Sequence, residues 1–121
     1  MNFRPKLIAT DLDGTIVTHD FGISRETVAT LTKAHHLGVE IFFVTGRPPR
    51  WMVEISDTFD FGSAICGNGA MLYDLRTHQV IEQWLIPVAA QVETVKMLRK
   101  RIPNVAFAIE NHDSFHREAS Y

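Results

Sequence analysis

Cysteine is almost missing from these 121 residues. Cys66 is the only one, so no internal disulfide can form and a reducing compartment is the default. Long apolar runs are missing as well, and none reaches the roughly 20 residues that a membrane-spanning helix needs. Met1-Asn2-Phe3-Arg4-Pro5 lacks the apolar centre of a secretory signal. These absences point to a cytoplasmic protein with no membrane partner. Charge of one sign is also lacking. Twelve Lys and Arg against fourteen Asp and Glu leave a net charge of −2, which offers no basic footprint for nucleic acid. The short basic group Lys96, Arg99, Lys100 and Arg101 suits the solvated end of a helix. Repeats and low-complexity tracts are absent. What is there is an average soluble composition, 45% hydrophobic and 21% charged, long enough for one modest core.

Alternating elements fill the first half. Leu7-Ile8-Ala9-Thr10 reads as a buried strand. Ser24 can cap a helix over 25–37, with Val28, Leu31, Ala34 and Leu37 as its apolar stripe and Gly38 as its stop. Residues 39–44, Val-Glu-Ile-Phe-Phe-Val, read as a strand covered on both faces. Pro48-Pro49 opens a second helix whose buried face is Trp51, Met52, Ile55 and Phe59. Ser63-Ala64-Ile65-Cys66 reads as a third strand, with Cys66 as a small buried hydrophobe. This order predicts an α/β fold with a parallel, doubly wound, Rossmann-like sheet and right-handed crossovers. The pattern changes at Met71. Residues 71–75 and 80–85 read as a hairpin across 76–79. A helix follows from Pro87 to Arg101, with Val88, Val92, Val95, Leu98 and Ile102 on one face, and then a strand over 105–109. His35 and His36 read as solvated. His112 and His116 fall in an extended or loop stretch, which makes a zinc site a weak reading.

Sheets of this kind bind ligands beyond the carboxyl ends of their strands. Three polar clusters fall there: Asp11-Leu12-Asp13-Gly14-Thr15, Thr45-Gly46-Arg47 and Gly67-Asn68-Gly69. Asp11 and Asp13 are spaced by one residue and so point to the same side. Two carboxylates that close repel, and a hard cation such as Mg²⁺ relieves the repulsion. An Asp-rich turn would have the same spelling. One carboxylate can attack phosphorus while the other acts as acid and base, and the spacing fits both roles. Thr45 offers a hydroxyl and Gly46 an amide that can approach an oxyanion. Arg47 could grip a phosphate or open a helix at the surface, and Asn68 is an amide donor or a turn residue.

Together these segments resemble the haloacid dehalogenase-like (HAD) phosphatases. Asp11-Leu12-Asp13-Gly14-Thr15 resembles their first motif and Thr45-Gly46-Arg47 their second. Ile65-Cys66-Gly67-Asn68-Gly69-Ala70 resembles the third-strand loop of the Cof-type branch. The likeness covers about the first seventy residues well. It implies a HAD core over residues 1–81 and the start of an α/β cap over 82–121. It implies Asp11 as nucleophile and metal ligand, and Asp13 as acid/base that also gives its backbone carbonyl to Mg²⁺, the cofactor. Thr45 and Gly46 would bind phosphate, with Arg47 and Asn68 near the substrate. The implied activity is hydrolysis of a small phosphorylated metabolite, such as a sugar phosphate, through an aspartyl-phosphate. Two other outcomes stay open: a non-catalytic module that binds a phosphate ligand or a protein partner, and phosphomutase or phosphotransferase chemistry.

The family also needs a later lysine and an acidic pair after a glycine. Lys100 is the last lysine here, and Asp113 lacks a preceding glycine. The expectation is an N-terminal part of a chain about twice as long. By itself it would be weak or inactive, with a free sheet edge that invites self-association.

Overall fold

The computed structural model describes residues 5–19, 22–111 and 113–121. The chain divides into two compact units, Met1–Gln83 and Trp84–Tyr121.

The first unit is built on a five-stranded sheet. Its strands are β1 (Leu7–Asp11), β4 (Glu40–Val44), β5 (Ser63–Cys66), β6 (Met71–Asp74) and β7 (Gln79–Gln83), in that spatial order. β1, β4 and β5 run parallel. β6 runs antiparallel to β5, and β7 antiparallel to β6. The α/β class and the Rossmann-like start agree with the sequence reading, and the hairpin extends the same sheet. A small ribbon of β2 (Val17–Thr18) and β3 (Gly22–Ile23) precedes helix α1 (Arg25–His36). The Ser24 hydroxyl accepts the Thr27 N–H at 3.1 Å and starts α1. Gly38, at φ +83°, follows its end.

The strands β1, β4 and β5 are laid down in one direction. The right-handed crossover rule puts α1 and α2 (Val53–Thr58) on the same face, and residues of both share one core cluster. That face holds the core: Leu31 from α1, Ile41 and Phe43 from β4, and Met52, Ile55 and Phe59 around α2. Phe43 and Phe59 pack with ring centroids 5.0 Å apart. The opposite face is open, so the expectation that β4 is covered on both sides fails. Val44 is 40% exposed, and Leu7 and Ile81 are also exposed. An apolar run alone cannot distinguish a strand buried on both faces from one whose second face is bare.

Two anticipated core positions fall outside it. Leu37 is exposed because α1 ends one residue earlier and turns away at Gly38. Trp51 is 60% exposed. A 3₁₀ turn, Pro49–Trp51, precedes α2 and changes the helical phase on which its burial was counted. Cys66 is fully buried, and burial pushes its thiol up to about 11.

The second unit contains α3 (Val88–Arg101) and an antiparallel ribbon of β8 (Ala108–Glu110) and β9 (Phe115–Arg117). The expected strand over 105–109 begins later, and the stretch around His116, expected as extended or loop, is extended in β9. Arg99 pairs with Glu118 and lies over the Phe107 ring. Of the anticipated apolar face of α3, Val95 and Leu98 are half-buried, while Val88, Val92 and Ile102 are exposed. Three-residue strands, about 10 Å long, cannot cover a 14-residue helix of about 21 Å. His112 lies outside the described residues. His116 Nε2 is 2.8 Å from Ser114 Oγ.

A stability contrast follows. Phe43→Ala should cost about 3–5 kcal/mol in urea unfolding, whereas Trp51→Ala should cost about 0.5 kcal/mol or less. Equal costs would contradict the assignment of the core.

Candidate active site

The chain makes its site where three strands end. β1 ends at Asp11, which is opposite Val44 of β4, and Val44 is opposite Ile65 of β5. The next residues of each strand therefore enter their loops at one level.

After β1 the side chains keep alternating. Leu12 is fully buried, and this leaves Asp11 and Asp13 exposed on either side of it. The backbone then folds around one oxygen. The N–H groups of Thr15, Ile16 and Val17 all donate to the Leu12 carbonyl, at 3.2, 3.1 and 2.8 Å. Gly14 makes this possible at φ +79°. The Thr15 hydroxyl donates to Asp11 Oδ2 at 3.0 Å.

Thr45 follows β4 and is buried. Its N–H donates to Ile65 O at 2.9 Å, and its hydroxyl oxygen accepts the Arg47 N–H at 3.0 Å. The third loop closes on the second. Gly67 N–H donates to Arg47 O at 3.0 Å, and Asn68 N–H donates to Thr45 O at 3.2 Å. Gly67, Asn68 and Gly69 all adopt positive φ, at 58°, 56° and 97°. A run of left-handed residues explains the Gly-Asn-Gly spelling, because asparagine tolerates that region better than most side chains. Asn68 is thus a turn residue whose amide also lies over the site. A Cβ on Gly46 would come within 3.1 Å of Asn68 Oδ1.

Arg47 links the second loop to the first. Its Nε lies 3.2 and 3.0 Å from the two Asp13 oxygens, and its Nη2 lies 2.5 Å from Oδ1. This hydrogen bonding holds the Asp13 carboxyl below the usual carboxylate range and raises Arg47 further. Glu54, on α2, lies 3.7 Å from Arg47 Nη1. Sequence reasoning missed Glu54, since nothing in the spacing marks a residue seven positions after Arg47. Thr15 belongs to the first motif, but its contact with Asp11 was not anticipated.

The structure thus brings Asp13, Thr45, Gly46, Arg47 and Asn68 into one network, with Asp11 at the end of the adjoining strand. As a metal site it offers the Asp11 carboxylate and the backbone carbonyl of Asp13, both hard oxygen donors, while the Asp13 carboxylate is held by Arg47. Mg²⁺ commonly takes one or two carboxylates and fills its shell with water and phosphate oxygens, so the donor set fits. Among the described residues no group of three or more His, Cys, Asp or Glu could hold a metal ion. No described helix is long and apolar enough to cross a membrane.

With fold and site together, the comparisons identify the class. A family model for haloacid dehalogenase-like hydrolases matches residues 8–120, and the chain belongs to that family, in its Cof-type branch. The pyridoxal phosphate phosphatase YbhA of Escherichia coli is 32% identical over 100 residues. The match covers 78% of this chain and 35% of that one. A solved phosphatase of the same superfamily from Bacteroides thetaiotaomicron superposes with a TM-score of 0.77 at 27% identity. That match covers 92% of this chain and 40% of the other. A haloacid dehalogenase-like hydrolase from B. subtilis superposes at 0.73 and 24% identity, over 91% of this chain and 38% of that one, and supports the fold. The chain spans about a third of the curated relative's length.

The Asp13–Arg47 pair should respond to pH with a defined sign. The folded pKa of Asp13 lies below its unfolded value. The pair's contribution is therefore complete above about pH 4 and fades as pH falls through the lower folded value. A double-mutant cycle with Asp13→Ala and Arg47→Ala should give a coupling of about 1 kcal/mol or less at pH 7, because Asp13 is exposed. The coupling should shrink below pH 4. A coupling that grew on acidification would contradict the pairing.

Proposed function

We propose that this chain carries the nucleophile half of a Mg²⁺-dependent phosphatase acting on a small phosphorylated metabolite. The observation that carries the reading is the meeting of three strand-end loops around Asp11, Asp13 and Thr45. Asp11 is the nucleophile: its carboxylate attacks phosphorus and displaces the alcohol, leaving an aspartyl-phosphate. Asp13 takes a proton from the water that hydrolyses the aspartyl-phosphate; to give one to the leaving alcohol it must first gain that proton from solvent against the pull of Arg47, which favours the ionised form. Thr45, Gly46 and Asn68 hold the transferring phosphate, with Arg47 beside them. Asp11 and Asp13 would hold Mg²⁺, which supplies positive charge against the repulsion between carboxylate and phosphate. The Thr15 hydroxyl fixes one Asp11 oxygen and leaves the other to react.

The substrate class rests on the relatives. The E. coli relative is named for pyridoxal phosphate, and a ring-bearing or sugar-bearing monoester is the corresponding class here. The second unit, from about residue 82, is the start of an α/β cap. A cytoplasmic setting fits the lone buried cysteine. The outer edge of β1 has no strand partner among the described residues, which favours self-association as a second property. Sedimentation at rising concentration tests that property, and a constant monomer mass would count against it. A phosphomutase or phosphotransferase would use the same aspartyl-phosphate, and adding acceptor sugars separates it from a hydrolase.

In the natural protein carrying this sequence, Asp11→Asn should lower kcat on p-nitrophenyl phosphate at least about a thousandfold. Asp13→Asn should lower it about a hundredfold or more. Retained turnover in Asp11→Asn would defeat the reading.

A further inference from the structure

A phosphate clamp needs its donor fork aimed at the anion, and the Nε–Nη2 edge of Arg47 is already turned onto Asp13. Nη1 faces Glu54. The cation is the enclosed member of the trio. The Arg47 side chain is 18% exposed, against 56% for Asp13 and 65% for Glu54. Its backbone is fixed on both sides, by the Thr45 hydroxyl and the Gly67 N–H. A guanidinium that grips both carboxylate oxygens sets the plane of the carboxylate as well as its position. A lysine in its place would supply the charge but not the plane.

We propose that Arg47, steadied by Glu54, is a positioning residue that fixes the Asp13 carboxylate and does not clamp phosphate directly. The proposal rests on the reading of Asp13 as acid/base. A proton is transferred only within hydrogen-bond reach, and an exposed carboxylate rotates freely unless something holds it. Glu54 determines which of two jobs the guanidinium performs. With Glu54 present, its charge 3.7 Å from Nη1 favours the orientation that keeps the fork on Asp13. Without it, the fork can turn toward an incoming anion.

Side-chain ¹H–¹⁵N NMR of the arginine groups tests this in a protein of this sequence. The expected result is one Nε–H resonance, that of Arg47, displaced from the others and slow to exchange. Asp13→Ala should remove it. Glu54→Gln should keep the resonance but let the two Nη groups average. Adding inorganic phosphate should shift the Thr45 and Gly46 amides and leave the Arg47 signature in place. If the signature is missing, or phosphate abolishes it, the proposal is overturned. If phosphate shifts no amide, the functional reading suffers, and the presence or absence of the signature still decides the positioning claim. In turnover assays of the natural protein, Arg47→Lys should lower kcat about tenfold with KM changed less than about twofold. A rise in KM with kcat unchanged would identify a clamp instead.

Discussion

The register between β1, β4 and β5 is the constraint on which the rest depends. Parallel pairing sets Asp11 opposite Val44 and Val44 opposite Ile65. The three polar loops then begin at one level; the second and third are bonded through their backbones, and the first joins them through the Asp13–Arg47 pair. A one-residue slip in β1 would turn Leu12 outward and carry Asp11 and Asp13 toward the core, where two carboxylates could not stay charged. The full burial of Leu12 therefore locks the orientation of both acids. The core residue between the acids fixes the side chains on either side of it.

Charge is the second constraint. Asp13 and Glu54 bring negative charge to one small region, and the only cation gripping Asp13 among the described residues is Arg47. Its enclosure between Asp13 and Glu54 makes it part of the frame of the site. Backbone geometry does similar work. The Gly67-Asn68-Gly69 turn lays Asn68 over Gly46, so the second loop can carry no side chain there without displacing the amide.

Much of this was legible in the sequence because the signals were local. The Asp-x-Asp spacing, the Ser24 cap and the apolar runs of β4 and β5 each fix short-range structure, and the right-handed crossover rule converts them into a shared edge. What could not be read depends on distant partners. Val44 and Leu7 look like core residues, yet one sheet face is open. Trp51 shifted out of phase because a 3₁₀ turn interrupted the helix. The pairing of β6 with β5 joined the hairpin to the core sheet, and no periodicity specifies a neighbour. At the site, the roles of Thr15 and Glu54 came only from geometry: a hydroxyl four residues after Asp11 and a carboxylate that α2 happens to bring beside Arg47.

The central claim is that Asp11 receives a phosphoryl group at this edge. Beryllium fluoride mimics an acyl-phosphate, and ¹⁹F NMR in the presence of Mg²⁺ reports whether it attaches. The account predicts bound fluoride resonances in the natural protein that depend on Mg²⁺ and vanish in Asp11→Asn. Bound resonances that survive Asp11→Asn, or none in the unaltered protein, would contradict it.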